Sequence, residues 1–579
     1  MSRPLPWRCL LALVLLPFLA GCATSRPAVP APSPAPSAPP APVAAAPAAA
    51  ERTAVLLAIN DVYRIEGVEG GQKGGLARLR ALRQELEREH PDLLVFHAGD
   101  MLFPSFLSRT FNGEQMIDVL NGLDGSPGID DRMFAVFGNH EFDKDTMKDA
   151  SLLAQRVHDS QFRWVNGNVV FATGADGRPV VSGENVAPSW IVESGGIRIG
   201  VFGLTVNSKK PQYVSAFKDP FATARELTAD LRRRGAEVVV ALTHLNVLDD
   251  RRLLDRLGDA GPDLILGGHD HTSMACEVGG RFVLKADADA RTATVARVTL
   301  RPGRKVAVEH RLVPLEAGMG EDCGVSGTVR SWLALHAGLF CGQDAGKNKV
   351  TPNPRCLEEK VGSARAVLEA EESKIRSTET AFGDWIADQM VTAFRGCGAQ
   401  AAFINAGSLR LNQDLPADSD ILRRHVEELF GFPAPLSLLR LKGKTLQQVA
   451  ARAIEGWPGS GNWLQIAGFS FVHDTGSRKV SDLQLITPQG RRPVQPDEDV
   501  LVVVNQFLFD PSQGNRDGYT MLDPSLVVKG CAVNGKDLKS EIVLPVLQST
   551  PDGIAPQKEG RIRQVPEAAA SDPCAEALQ

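Results

Sequence analysis

Five short clusters hold the residues of this chain that could do chemistry. They are Asn60-Asp61-Val62-Tyr63, Gly99-Asp100, Gly138-Asn139-His140-Glu141-Phe142-Asp143, Thr243-His244 and Gly268-His269-Asp270-His271. Each follows a short apolar run, so its side chains leave the end of an expected strand, where α/β sheets usually place ligands. A lone Asp or His at such a place is ordinarily a structural hydrogen-bonder. Together the clusters supply Asp, Asp, Asn, His and a His-x-His, the donor set needed by two divalent cations roughly 3.5 to 4 Å apart. Asp100 is the natural bridge, because one carboxylate can serve both ions. Asp61 would hold the first ion, and Asn139, His244 and His269 the second. His271 is expected to face the first, since alternate residues of an extended segment point to opposite sides. A hydroxide held between the ions would be the nucleophile, its pKa drawn toward neutrality by the paired charge. His140 can act as general acid or stabilise a transition state, with Asp143 orienting it. His97, His158 and His310 lack such company and read as structural or surface residues.

The elements that must position these residues follow from periodicity. Residues 55–59, 93–96, 134–137, 197–204, 238–242 and 264–266 read as buried strands. Leucines at 76, 79, 82 and 86 draw an amphipathic helix between the first two strands, and 222–234 draws another. Strand, helix, strand units whose strands each release a carboxylate imply neighbouring strands with converging ends. β-rich sequence from 282 to 314 should close this first domain. Residues 357–376, rich in Glu, Ala, Lys and Arg, read as an exposed connecting helix. A second domain follows, with a helix over 382–394, a strand and turn over 401–410 and a strand over 500–507.

At 579 residues, 43% hydrophobic and 23% charged, the chain is globular in composition and too long for one core. A net charge of -6 leaves no basic footprint for nucleic acid. Arg3 and Arg8 precede an apolar run over 10–20, a signal peptide too short to span a bilayer. Leu19-Ala20-Gly21-Cys22 looks like a bacterial lipobox, in which Cys22 is lipidated and anchors the protein without spanning the membrane. The chain is therefore expected to be exported, lipid-anchored to a bacterial membrane and facing the periplasm or cell surface. Residues 23–50 are almost entirely Pro, Ala, Ser and Val, a semi-extended spacer. The later cysteines are Cys276, Cys323, Cys341, Cys356, Cys397, Cys531 and Cys574. Export permits disulfides, and the odd count leaves at least one thiol free or paired between chains.

On these motifs the first domain resembles the calcineurin-like metallophosphoesterases, and residues 55–565 resemble the 5'-nucleotidase and UDP-sugar hydrolase family. The resemblance implies an α/β protein: a four-layer α/β/β/α metallophosphoesterase domain joined by a helical linker to a smaller α/β substrate-binding domain. The expected division is signal peptide 1–22, spacer 23–51, phosphoesterase domain 52–314, linker with connecting helix 315–378, substrate-binding domain 379–565 and a disordered tail 566–579. It implies two divalent ions, Mn, Zn, Mg or Co. Where the family usually has a metal-binding His, this chain has Tyr63, which either ligates as a phenolate, making iron possible, or points away. Asn405-Ala406-Gly407-Ser408-Leu409-Arg410 resembles the family's Asn-x-Gly-x-x-Arg segment, with Arg410 able to grip phosphate bidentately. Trp463 and Tyr519 align with Phe residues that sandwich a nucleobase in the family. Asn405 and Asp517 join the implied substrate site, although the family's Asn-Gly-Gly-Asp-Gly-Phe loop here reads Gly514-Asn515-Arg516-Asp517-Gly518-Tyr519. The implied activity is release of phosphate from nucleoside 5'-monophosphates or related nucleotides. Nucleotide-sugar, cyclic-nucleotide and sugar-phosphate hydrolysis on the same site stay open, as does a non-catalytic nucleotide-binding surface lipoprotein. A monomer is expected, touching the membrane only through its lipid anchor.

Overall fold

The computed structural model describes residues 51–579 except 302, 304, 349, 350, 352, 514, 515, 567–573 and 575–579. The expected signal peptide, Cys22, and nearly all of the spacer and tail lie outside the described residues, as do Gly514 and Asn515.

Strand Arg52–Ile59 shows how the layers arise. Ala54, Leu56 and Ala58 enter one core while Val55, Leu57 and Ile59 enter another. Side chains alternate with period two, so a strand buried on both faces reads as a continuous apolar run. This strand pairs in parallel with Leu94–His97, which pairs in parallel with Asp130–Val136, inside a seven-stranded sheet. Strand Val238–His244 does the same in a six-stranded sheet, parallel to Ile197–Thr205 and to Leu264–Gly267. Its Val238, Val240 and Leu242 share the core of Leu56 and Phe96, so the two sheets pack face to face. Helix Leu76–Glu89 covers the outer face of the first sheet through Leu76, Leu79, Leu82 and Leu86. Helices Pro220–Arg233 and Val247–Leu257 cover that of the second. The order is helix, sheet, sheet, helix. Each fully buried aliphatic side chain contributes about 1.5–3 kcal/mol, which locks strand register and hence the strand ends.

The C-terminal half has its own core, built on a sheet ordered Leu436–Lys442, Asp499–Asn505, Ala401–Asn405 and Leu464–Ala467. Helices Ala381–Phe394 and Gly443–Ile454 pack into that core. Thr380 caps the first of them by accepting the Gly383 N–H.

The connecting helix differs from expectation. Residues 357–376 hold the end of turn Cys356–Glu358, strand Lys360–Ala364 and the short helix Glu372–Ile375. The long helix is Cys323–Asn348, earlier in the stretch expected to be linker. Helix propensity is a weak prior that burial overrides. Val325 and Val329 enter the core under helix Leu76–Glu89, and Cys341 is bonded to Cys356. Lys360–Ala364 finds a strand partner in Ser419–Leu422. Two further disulfides, Cys397–Cys531 and Cys276–Cys574, leave exposed Cys323 as the odd thiol. Among the described residues, no helix is long and apolar enough to cross a membrane.

Candidate active site

The parallel strands of both sheets deliver the expected clusters to one edge. Asp61, Asp100, His269 and His271 all take left-handed backbone conformations there, with φ of 52°, 57°, 80° and 59°. Such conformations cost non-glycine residues about 1 kcal/mol or more and persist where the surroundings over-determine them, commonly at functional sites. Glycines let the loops close: a Cβ on Gly138 would lie 2.1 Å from Asp100 Oδ1, and one on Gly268 2.3 Å from the Ala98 carbonyl. The kinked His269-Asp270-His271 turn corrects the extended geometry expected of it. The two rings diverge because of these backbone turns, not through strand alternation.

Asp61, Asp100 and His271 offer ligand atoms that all lie within 4.8 Å of one another. His244 Nε2 is 3.2 Å from Asp100 Oδ2 and 3.2 Å from Asn139 Oδ1. The His269 ring sits against the His244 ring at 5.1 Å between centroids. Asp61 Oδ1 is buried and makes no well-aligned hydrogen bond, its neighbours being His271 Nε2 at 3.3 Å and His244 Nε2 at 4.0 Å, so a hard cation would suit it. The donor set of carboxylates, imidazoles and one amide suits divalent metals.

Electrostatics point the same way. Burial opposes the charge of His244, but Asp100 and Asp61 outweigh it and raise its pKa to about 10. Burial likewise opposes His271, while Glu372 and Asp61 raise it to about 9. Asp100 falls to about 2 and Asp61 well below the carboxylate range, because the His charges outweigh burial. In the metal-free protein, protons thus supply the positive charge that these carboxylates demand. Burial and the neighbouring His244 lower His269 to about 4, so it stays neutral with one ring nitrogen able to ligate.

Tyr63 does not point away. Its hydroxyl donates to Asp100 Oδ2 at 3.1 Å and lies 3.0 Å from His271 Nε2. Burial and the carboxylates of Asp100 and Asp61 push its pKa well up, holding the phenol neutral in the metal-free protein.

His140 stands beside this cluster, its backbone N–H donating to Asp100 Oδ1 at 2.7 Å. Its Nδ1 is 2.9 Å from Asp143 Oδ2, and Asp143 also pairs with Lys209. Buried Glu141 accepts the backbone N–H groups of Asp100, Met101 and Leu102 at 2.8–3.0 Å, binding two loops together.

The C-terminal half meets this edge. Arg410 Nη2 comes within 3.4 Å of His140 Nε2, while its Nε donates to the Gly407 carbonyl at 2.8 Å. Asn405 donates to Asp517 at 2.7 Å behind it. A narrow cleft opens beside Tyr63 and Arg410, bounded also by Arg64, Glu372, Asn412 and Glu428. Trp463 and Tyr519 are corrections to the expected base sandwich, being 1% and 0% exposed. Trp463 Nε1 donates to the Thr378 carbonyl at 3.1 Å, and the Tyr519 hydroxyl to the Asn462 carbonyl at 2.6 Å. Each ring fills a core and spends its one donor on backbone, so neither forms a slot wall here.

Three neighbours of the site went unnoticed in the sequence. Lys285 donates to the Gly268 carbonyl at 2.7 Å and to Asp270 at 2.6 Å, pinning the His-x-His turn. A charged residue ending the apolar run 282–284 was its signal. Lys209 and Glu372 carried none, each standing among other charged residues.

Comparisons with known proteins agree with this architecture. A family model described as calcineurin-like phosphoesterase matches residues 54–273, and one described as 5'-nucleotidase, C-terminal domain matches 360–524. The trifunctional nucleotide phosphoesterase protein YfkN of Bacillus subtilis is 24% identical over 533 residues, covering 84% of this chain but 34% of its own. The chain thus spans about a third of that relative's length. Rat 5'-nucleotidase is 22% identical, with 85% of each chain covered. The structure of a 5'-nucleotidase precursor from Thermus thermophilus superposes with a TM-score of 0.71 at 23% identity, over 88% of this chain and 99% of that one. With the two family models matched in tandem over a site of this composition, the chain belongs to the calcineurin-like phosphoesterases that carry a 5'-nucleotidase C-terminal domain.

Proposed function

We propose that this protein is a metal-dependent phosphohydrolase that releases phosphate from nucleoside 5'-monophosphates or related nucleotides. The observation that carries the reading is the approach of Arg410 to His140 across the two halves, directly beside the Asp61, Asp100 and His271 cluster. Asp61, Asp100 and His271 would hold one divalent ion, and Asp100, Asn139, His244 and His269 a second, of the Mn, Zn, Mg or Co kind. Bound there, the ions supply Lewis acidity and lower the pKa of water. Tyr63 remains a hydrogen-bonding phenol at the rim, so iron is not required.

The chain's own groups do the rest. Arg410 neutralises phosphoryl charge through its planar guanidinium. His140, oriented by Asp143, delivers a proton or a charged hydrogen bond to a phosphoryl oxygen. Asn405 and Asp517 brace the loop that carries Arg410. With Trp463 and Tyr519 in the core, the candidate stacking ring is Phe432, 39% exposed and next to Gly431 at the cleft.

A second reading has its own support. Arg64, Glu66, Glu428 and Asn412 stand among the residues that line the cleft, and their donors and acceptors suit a hydroxyl-rich leaving group such as a sugar phosphate. The address stays as read from the sequence: exported, monomeric and anchored through Cys22. Three disulfides favour an oxidising compartment. A phosphate-release screen with added manganese over AMP, a nucleotide sugar, a cyclic nucleotide and a hexose phosphate tests the two substrate readings. Fastest release from AMP supports the leading reading, and fastest release from the hexose phosphate the second. Nucleotide binding without any turnover would sink both.

A further inference from the structure

His244 and His271 each need a partner on the ring nitrogen that faces away from the site. For His244 that partner is the Ala98 carbonyl, 2.7 Å from Nδ1 and in the same domain. For His271 it is Glu372, whose Oε2 lies 2.5 Å from Nδ1 and comes from the short helix Glu372–Ile375 of the C-terminal half. A carboxylate can only accept, so the hydrogen sits on Nδ1 and the Nε2 side is turned toward Asp61 Oδ1 at 3.3 Å and Tyr63.

Glu372 is 3% exposed and serves more than the imidazole. Its carboxylate pairs with Arg376 at 3.0 Å and approaches Arg410 at 3.8 Å. Its backbone N–H faces Asn412 Oδ1 at 3.3 Å, and Asn412 donates back across the seam to Asp289 at 2.8 Å. Asp289 in turn accepts the backbone N–H groups of Tyr63 and Arg64 at 3.0 and 3.2 Å. Arg291 adds an ion pair with Glu371 at 2.7 Å. One carboxylate therefore touches a candidate metal ligand, the phosphate-binding arginine and the seam between the halves.

We infer that Glu372 is a positioning residue that couples seating of the C-terminal domain to metal binding by the phosphoesterase domain. The reasoning is thermodynamic. Partners that orient a metal-binding His typically change metal affinity about 10- to 100-fold. If the partner is present only when the halves are together, metal binding favours the seated arrangement, and the seated arrangement favours metal by the same factor. The His244 side, closed within its own domain, has no such dependence. The inference rests on the functional reading above, because it takes the cluster to bind metal.

The test needs no substrate. The full folded chain, stripped of metal, is titrated with Mn²⁺ by calorimetry as wild type, Glu372→Ala and Glu372→Gln. Glu372→Ala is expected to weaken one Mn²⁺ site about 10- to 100-fold, and Glu372→Gln, which keeps an acceptor oxygen, to weaken it less. Hydrogen exchange supplies the readout that a merely structural role would not move. In the wild type, Mn²⁺ should slow exchange in residues 63–66 and 410–413, and in Glu372→Ala that response should vanish. Affinities within about threefold of wild type for Glu372→Ala overturn the coupling, the expected loss being at least about tenfold. So does an unchanged exchange response. Should Glu372→Ala not fold, Glu372→Leu, which keeps the volume and removes the acceptor, decides by the same two measures. A wild-type chain that takes up no metal overturns the functional reading itself, and the coupling with it.

Discussion

The two sides of the candidate metal centre are built differently. Around His244, every partner comes from the phosphoesterase domain: Ala98 at 2.7 Å, Asn139 at 3.2 Å and Asp100 at 3.2 Å. Around His271, Asp61 is local, but Glu372 reaches in from the other half and Tyr63 occupies the remaining approach. The first side is preorganised by one core, while the second is finished only where two cores meet. A ligand held by its own domain can be fixed once and for all by packing. One held across a seam reports on whether the seam is closed.

The comparison can be broken most severely at Asp100, which belongs to both sides. Asp100→Asn should lower kcat/KM by at least about a thousandfold, the scale of losing a principal transition-state stabiliser. Metal content measured on the same preparation should fall with it. Retention of both metals and most activity would show that the sides do not share this carboxylate.

His140→Ala should cost about 10² to 10⁴ in kcat, as expected for a positioned acid or charged donor. Metal content should stay unchanged, because the hydrogen bond from His140 to Asp100 comes from its backbone N–H, which the substitution keeps. Loss of metal in this variant would move His140 from proton delivery to ligation.

pH separates the sides next. In the metal-free protein His244 is raised to about 10 and His271 to about 9, both from 6.5. A raised His contributes stability that is fully present below the unfolded value of 6.5 and is lost as pH rises through the folded value. The melting temperature of metal-free protein should therefore fall between pH 6.5 and about 10. Mn²⁺ must displace these protons, so its affinity should rise over the same window, with about two protons released per chain near neutral pH. Calorimetry in buffers of different ionisation heat measures that number, and no release would contradict the assigned charges.

The smallest effect is expected at Tyr63, on the seam-dependent side. Tyr63→Phe removes one hydroxyl bonded to Asp100 and should change Mn²⁺ affinity by less than about tenfold, the scale of a typical net hydrogen bond of about 0.5–1.5 kcal/mol. A large loss of metal, or a charge-transfer band in the wild type, would make the phenol a ligand.

Much of the phosphoesterase half was legible in the chain. Its strands are buried on both faces, so residues such as 55–59 and 238–242 appear as unbroken apolar runs, and the residues after them are forced to the sheet edge. The substrate side was less legible. Trp463 and Tyr519 were placed by analogy of position, yet a ring beside a strand end can turn into a core as easily as into a cleft. Which it does depends on whether a carbonyl such as that of Thr378 or Asn462 waits for its donor. The connecting helix was misplaced because the charged composition of 357–376 is only a weak propensity signal, whereas Cys323–Asn348 forms a helix by burying Val325 and Val329.

The sequence alone settled which residue types arrive at the strand ends, because hydrophobic period and turn chemistry are local properties. Only the tertiary structure decided that Tyr63 turns inward, that the His-x-His segment is kinked, and that Glu372 lies across a seam from His271, 101 residues away in the chain. Contacts of that kind depend on how two independently formed cores dock, and no spacing within a single element encodes them.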